Sequence, residues 1–239
     1  QAVTLTSATA NVMRESMKKY LNVKDNVEFN RVYRGLKKVG KGKVKNPVKV
    51  GYMDNDNWEP VREIGRDIQT YAKEAYHGGY NGSFEIGWIR GLTNDFDLEN
   101  AYPTAMVLVP DINWEDPSLI ELPRQELTDK YWVDSRFPDG YNPMLPMVAR
   151  IKFEFPKSVK YPCIPVNVEG RLIYPRSSEG LDVVYATGPE IFLALKLGAK
   201  IWCEMGWVLN PLRLSNGQES RSLGAAVLDL VLDLSLIHI

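Results

Sequence analysis

The run Ala149-Arg150-Ile151-Lys152-Phe153-Glu154-Phe155 alternates apolar and charged side chains without a break. Successive side chains of an extended chain point to opposite faces, so this pattern predicts a strand with one buried and one wetted face. Downstream, 164–168 and 171–174 read as short strands joined by Glu169-Gly170 in a hairpin. Thr187 and Glu190 make a capping box that opens a helix carrying Ile191, Phe192 and Leu195, stopped by Gly198. Residues 200–209 supply a last strand. Strands and helices mix here without a regular parallel repeat, which makes the fold class α+β rather than α/β.

Upstream the pattern is less even. Met13, Met17, Tyr20 and Leu21 recur at helical spacing and predict a helix over 7–21, capped by Thr6 or Ser7. A second helix is expected from Pro60, with Asn57 as its cap. Val61, Ile64, Ile68, Tyr71 and Ala75 form its apolar stripe, with Arg62, Glu63, Arg66 and Lys73 left to solvent. It runs into Tyr76-His77-Gly78-Gly79, whose glycines are expected to stop it, with His77 a solvent-exposed imidazole. Phe84, Ile86 and Trp88 alternate as in a strand, and a further strand is expected to carry Phe96, Asp97 and Leu98. A helix follows from Pro103 through Met106. The stretch 111–146, rich in Pro, Asp and Asn, reads as a long irregular connection.

With 239 residues, 44% hydrophobic and 25% charged, the chain suffices for one large domain or two small ones. No apolar run approaches the roughly 20 residues a bilayer demands, and no secretory signal opens the chain. Cys163 and Cys203 are too few and too far apart for a structural zinc site. They are expected to be reduced and partly buried, as in an intracellular protein that is not secreted. Net charge is −1, but its distribution is uneven. Arg31, Arg34, Lys37, Lys38, Lys41, Lys43, Lys45 and Lys49 share 31–50 with no acid, interrupted by Gly35, Gly40 and Gly42. That reads as a basic loop or ribbon, either tracking phosphates or simply solvated. The terminal Leu234-Ser235-Leu236-Ile237-His238-Ile239 matches what a sequencing adapter encodes, so 234–239 is set aside and His238 receives no role.

The densest chemistry lies in Asp97-Leu98-Glu99-Asn100-Ala101-Tyr102-Pro103, with Tyr76-His77-Gly78-Gly79 beginning 21 residues before Asp97. In this order and at this separation the two motifs resemble those of the protein-primed branch of the family B DNA polymerases, found in bacteriophages, adenoviruses and linear plasmids. There the first reads roughly D-x-x-S-L-Y-P and the second Y-x-G-G. Asn100 stands where Ser is usual and Ala101 where Leu is common.

The resemblance implies a partial polymerase palm from 83 to 210, including an insertion. Before it comes a region, 1–82, that links exonuclease and palm and contains the basic loop and the 76–79 loop; a truncated remainder, 211–233, follows. It implies two Mg2+ ions with Asp97 as catalytic ligand and the Leu98 carbonyl at the nucleotide-side ion. Asn100 and the N–H groups of Ala101 and Tyr102 would form the nucleotide site, with the Tyr102 ring under the sugar. Tyr76, Gly78 and Gly79 would meet the template. Lys37, Lys38, Lys41 and Lys43 would add phosphate contacts. Implied partners are a DNA primer-template, deoxynucleoside triphosphates and, in this branch, a terminal protein that can act as primer. The setting would be a host cytoplasm or organelle carrying a viral or plasmid replicon. Neither the lysine-bearing fingers motif nor the Asp-Thr-Asp turn is present, so the chain is expected to be inactive alone. The rival reading is a non-catalytic nucleic-acid-binding module of a virus or mobile element, stacking bases on Trp58 and Tyr52.

Overall fold

A computed structural model describes residues 5–40, 58–80, 87–88, 90–92, 94, 96–98, 101–116, 118–181 and 183–237. In chain order the elements are α1 (Leu5–Leu21), α2 (Asn26–Arg34), β1 (Leu36–Lys38), β2 (Trp58–Pro60), α3 (Gly65–Glu74), α4 (Ala101–Leu108), β3 (Ile120–Leu122) and β4 (Gln125–Leu127). A 3-10 turn (Asp129–Trp132) leads to β5 (Met147–Glu154), β6 (Val166–Val168), β7 (Arg171–Ile173), β8 (Val184–Thr187), α5 (Gly188–Lys196), β9 (Lys200–Val208) and α6 (Ser222–Ile237).

The centre is an antiparallel sheet in the order β3-β9-β5-β8, with β4 also on β9. This is the α+β class expected from the sequence. The alternation in β5 is realised: Ala149, Ile151, Phe153 and Phe155 are buried with Ile201, Cys203 and the α5 residues Ile191 and Ala194. Between Arg150 and Ile151 the register on β9 slips by one residue, a bulge that lets β9 serve both faces. Beyond it Trp207 and Leu209 turn to the opposite face with Val148, where Ile68 and Tyr71 of α3 cover them. The capping box is present at α5, with Thr187 Oγ1 and the Thr187 N–H both on Glu190. The β6–β7 hairpin turns through Glu169 and Gly170, both at positive φ, and Gly198 at φ 84 ends α5.

Several expectations need correction. The half of the basic segment that is described is no loop: Arg31 and Arg34 lie in α2, and Lys37 and Lys38 in β1, paired with β2. Asp25 caps α2 by accepting from the Val27 and Glu28 amides. Gly35 ends α2 at φ 64, where a Cβ would fall 2.5 Å from the Trp114 ring. Pro60 closes β2 instead of opening a helix, and α3 starts at Gly65 without a side-chain cap, since Pro60 is held in the β1–β2 pairing. Arg62 is not left to solvent but donates to the Asp116 carbonyl. Thr6 and Ser7 lie inside α1, which begins at Leu5. The 111–146 stretch is not wholly irregular. β3 and β4 form one edge of the sheet against β9, interrupted at Pro123, which has no N–H to donate. Both cysteines are free; Cys203 is buried and Cys163 half-buried, and burial raises each thiol pKa to about 11.

The remaining helices make a second body. Met17 of α1, Phe29 of α2 and Ala226 of α6 share a small core. Asp229 of α6 accepts from Ser16 Oγ (2.7 Å) and Tyr20 Oη (2.9 Å). α4 lies against α6 so closely that a Cβ at Gly224 would sit 2.6 Å from Val107 Cα. Asp111 fixes that pair. Its buried carboxylate accepts from Ser220 Oγ (2.6 Å), Ser222 N (2.8 Å) and Ser222 Oγ (2.8 Å), tying the exit of α4 to the first turn of α6.

Candidate functional site

α3 ends at Ala75 in a right-handed conformation, and neither Gly78 nor Gly79 has positive φ, so the glycines are not its stop. Instead the 76–80 segment, which has no regular secondary structure, is tied to the first turn of α5. His77 bonds through Nε2 to Glu190 Oε1 and through Nδ1 to the Gly78 carbonyl, 2.6 Å away. Both ring nitrogens therefore face oxygen acceptors, and only the imidazolium can donate from both. Burial opposes its charge, but the Gly78 carbonyl and the Glu190 carboxylate outweigh it and raise the His77 pKa above 6.5. The expected exposed imidazole is thus a half-buried ion-pair partner. Three residues on, the Tyr80 ring packs on Tyr174 with centroids 4.2 Å apart. Tyr76 itself remains exposed.

The two sequence motifs meet. A Cβ built on Gly79 would lie 3.6 Å from the Tyr102 hydroxyl, so the Gly79 backbone passes directly beside that side chain. Tyr102 stands in the first turn of α4, 75% exposed. The amides of Ala101 and Tyr102 have no acceptor within α4, as for the opening residues of any helix.

Asp97 and Leu98 are exposed, and the strand expected over Phe96, Asp97 and Leu98 is absent: these residues pair with no other strand. Their alternation lacks the partner that would make it a sheet. Trp88 is likewise exposed and outside any strand, while Phe84 and Ile86 lie outside the described residues. Asn100, Lys41 and Lys43 also lie outside them, as do Asp95 and Glu99. Lys37 sits 3.9 Å from Glu59 across the β1–β2 pair. Trp58 is buried against Leu36, which removes it as a base-stacking platform; Tyr52 lies outside the described residues.

Among the described residues no group of three or more His, Cys, Asp or Glu is positioned to hold a metal. Asp97 offers one hard oxygen donor open to solvent, which suits a magnesium ligand but does not complete a site. No helix of the described residues is long and apolar enough to cross a membrane. The contacts of His77 and Tyr80 left no local trace in the sequence. Glu190 was legible as a cap, but nothing near it announces a histidine 113 residues away.

The chain is 33% identical over 173 residues to the primer-independent DNA polymerase PolB of Escherichia coli. Most of this chain is homologous to a DNA polymerase. The match takes in 70% of the chain and 16% of PolB, so it spans about a sixth of that polymerase's length. No protein-family profile matches the chain, and no solved structure matches it. The antiparallel sheet with packed helices is compatible with a polymerase domain.

Proposed function

We propose that this chain is the part of a template-directed family B DNA polymerase that begins the palm and carries its first metal ligand. The observation that carries this reading is the approach of the Gly79 backbone to Tyr102, in a chain homologous to PolB. It gives the two motifs one location, where a template strand along 76–79 and a nucleotide at Tyr102 would be neighbours. Asp97 is the catalytic ligand in this reading. Magnesium, when bound, neutralises developing charge on the transferring phosphate. The amides of Ala101 and Tyr102, with Asn100 as a further polar group of the nucleotide site, receive the triphosphate, since the N-terminus of a helix favours an anion, and the Leu98 carbonyl would serve the nucleotide-side ion. The Tyr102 ring lies under the sugar and excludes a 2′-hydroxyl. Lys37, Lys38, Lys41 and Lys43 contribute phosphate contacts.

PolB is named primer-independent, and we extend that property to this chain as a proposal: the initiating hydroxyl need not belong to an annealed primer. A terminal protein is the other source. Synthesis on a circular single-stranded template without added primer or protein separates the two.

The test of the whole reading is Asp97→Asn in the polymerase carrying this segment. Loss of several kcal/mol of charge stabilisation corresponds to a fall on the order of 10³-fold in nucleotide addition, with DNA binding retained. Near-normal addition would remove Asp97 from the metal site. Tyr102→Val is expected to raise ribonucleotide use about tenfold or more, as for loss of roughly 1.4 kcal/mol of discrimination. Unchanged discrimination would make Tyr102 an ordinary surface aromatic.

A further inference from the structure

Away from the two motifs, three arginines converge on one carboxylate. Arg136 Nη2 lies 3.0 Å from Glu219 Oε1, Arg213 Nη2 3.9 Å from the same oxygen, and Arg221 Nη2 3.5 Å from Oε2. Arg136 also forks onto Asp134 through Nε (2.9 Å) and Nη2 (2.6 Å). Three guanidinium groups thus face two carboxylates, an excess of one positive charge.

The arrangement is layered. Glu219 is only 10% exposed and Asp134 16%, whereas Arg136 and Arg213 are 55% and 52% exposed. The acids lie inside and the cations outside, so solvent meets a cationic rim. A guanidinium carries five N–H donors. Nη1 of Arg136 and Nε of Arg213 have no acceptor among the described residues. The rim is rigid as well. Arg136 sits in a turn closed by Asp134 N to Gly140 O (2.8 Å), and Arg213 is bridged to Glu219 in a hairpin closed by Leu214 N to Gln218 O (2.8 Å). Arg136 and Arg213 border a cavity of about 110 Å³ that Asp134, Glu219, Asn142 and Trp132 also line. That is room for several waters or one phosphate group. Trp132 is fully buried, and its indole N–H has no acceptor among the described residues.

We propose that the outward donors of Arg136 and Arg213, with Arg221 sharing the charge of Glu219, form a site for a phosphate oxyanion on the solvent side of the cluster. Planar forks with spare donors suit phosphate oxygens, and the inner acids hold the forks in register before a ligand arrives. The phosphate is a strand phosphodiester or a free phosphate such as released pyrophosphate. The first source rests on the polymerase reading; the anion site does not.

The experiment uses the whole 239-residue chain. Arginine-selective dicarbonyl modification is mapped by mass spectrometry alone, with a single-stranded oligonucleotide, and with pyrophosphate. Protection of Arg136 and Arg213 by the oligonucleotide assigns the site to a strand; protection by pyrophosphate alone assigns it to free phosphate. Either result sustains the site. For the strand source, Arg136→Gln with Arg213→Gln is further expected to lower the salt slope of oligonucleotide binding by about one to two. Equal modification in all three conditions would overturn the proposal and leave the cluster as a clamp on Glu219. The mapping uses the unmutated protein, so it decides even if the double variant unfolds. Absence of nucleotide addition by the polymerase carrying this segment would sink the polymerase reading without touching the protection result.

Discussion

The β5–β9 sheet and the 76–102 segment are two regions of opposite construction. In the sheet nearly every apolar side chain has neighbours on both strands and on a covering helix. In the segment Trp88, Leu92, Phe96, Leu98 and Tyr102 are mostly exposed, and among the described residues it is attached by His77 on Glu190, Tyr80 on Tyr174, and Gly79 beside Tyr102. Cohesion resides in one region, and the residues with polymerase-like chemistry reside in the other. Such a division lets the exposed side chains of the segment reorganise without disturbing the core that carries them.

The contrast can be broken by paired truncations. Ile151→Ala should cost about 2–5 kcal/mol, as for a fully buried aliphatic, and lower the melting temperature by roughly 2–4 °C for each kcal/mol. Phe96→Ala should stay within about 0.5 kcal/mol of the parent, as an exposed substitution does. Equal losses in calorimetry would mean that Phe96 has a partner and the division is false.

Asp111 tests whether the helices are separate from the sheet, because it joins the exit of α4 to the start of α6. Removing its carboxylate strands the buried Ser222 N–H and two hydroxyls, so Asp111→Ala should destabilise by about 1–3 kcal/mol. Hydrogen exchange should rise first in α4 and α6. A rise spread evenly through β5 and β9 would show that helices and sheet unfold as one body.

The division also tracks what could be read in advance. β5, α5, β9 and the hairpin each carry their own signal: alternation, a capping box, a turn pair. β8 was passed over because four residues hold too little pattern, although Val184, Tyr185 and Thr187 are good strand formers. β3 and β4 were lost in the proline-rich stretch, since their pairing with β9 spans some 80 residues. α2 was hidden by its charge, although Asp25 and Glu28 form a start signal that could have been used. In the motif segment Phe96 and Leu98 alternate like a strand, yet alternation cannot supply a partner. Neither the approach of Gly79 to Tyr102 nor the histidine that tethers the segment has a signal in the sequence, because each joins residues far apart in the chain.

The smallest expected effect is on that tether. The His77 pKa is raised in the folded chain, so its contribution is fully present below about 6.5 and is lost as pH rises through the higher folded value. Amide exchange at 76–80, corrected for intrinsic rate, should therefore accelerate as pH rises through that folded value. His77→Gln should remove the pH dependence, leaving only the intrinsic trend. A flat profile in the parent protein would detach the loop from Glu190.

The bond from Ser16 to Asp229 closes a span of 213 residues. At a synthesis rate of roughly 5–20 residues per second, α1 leaves the ribosome about 10–40 s before the helix it docks against exists. Through that interval the Met17 face has nothing to cover it but α2. The sheet, whose strands lie close together in the chain, can close meanwhile. α1 is therefore made well before it can find its place, and until α6 emerges its Met17 face is open to holding factors and proteases.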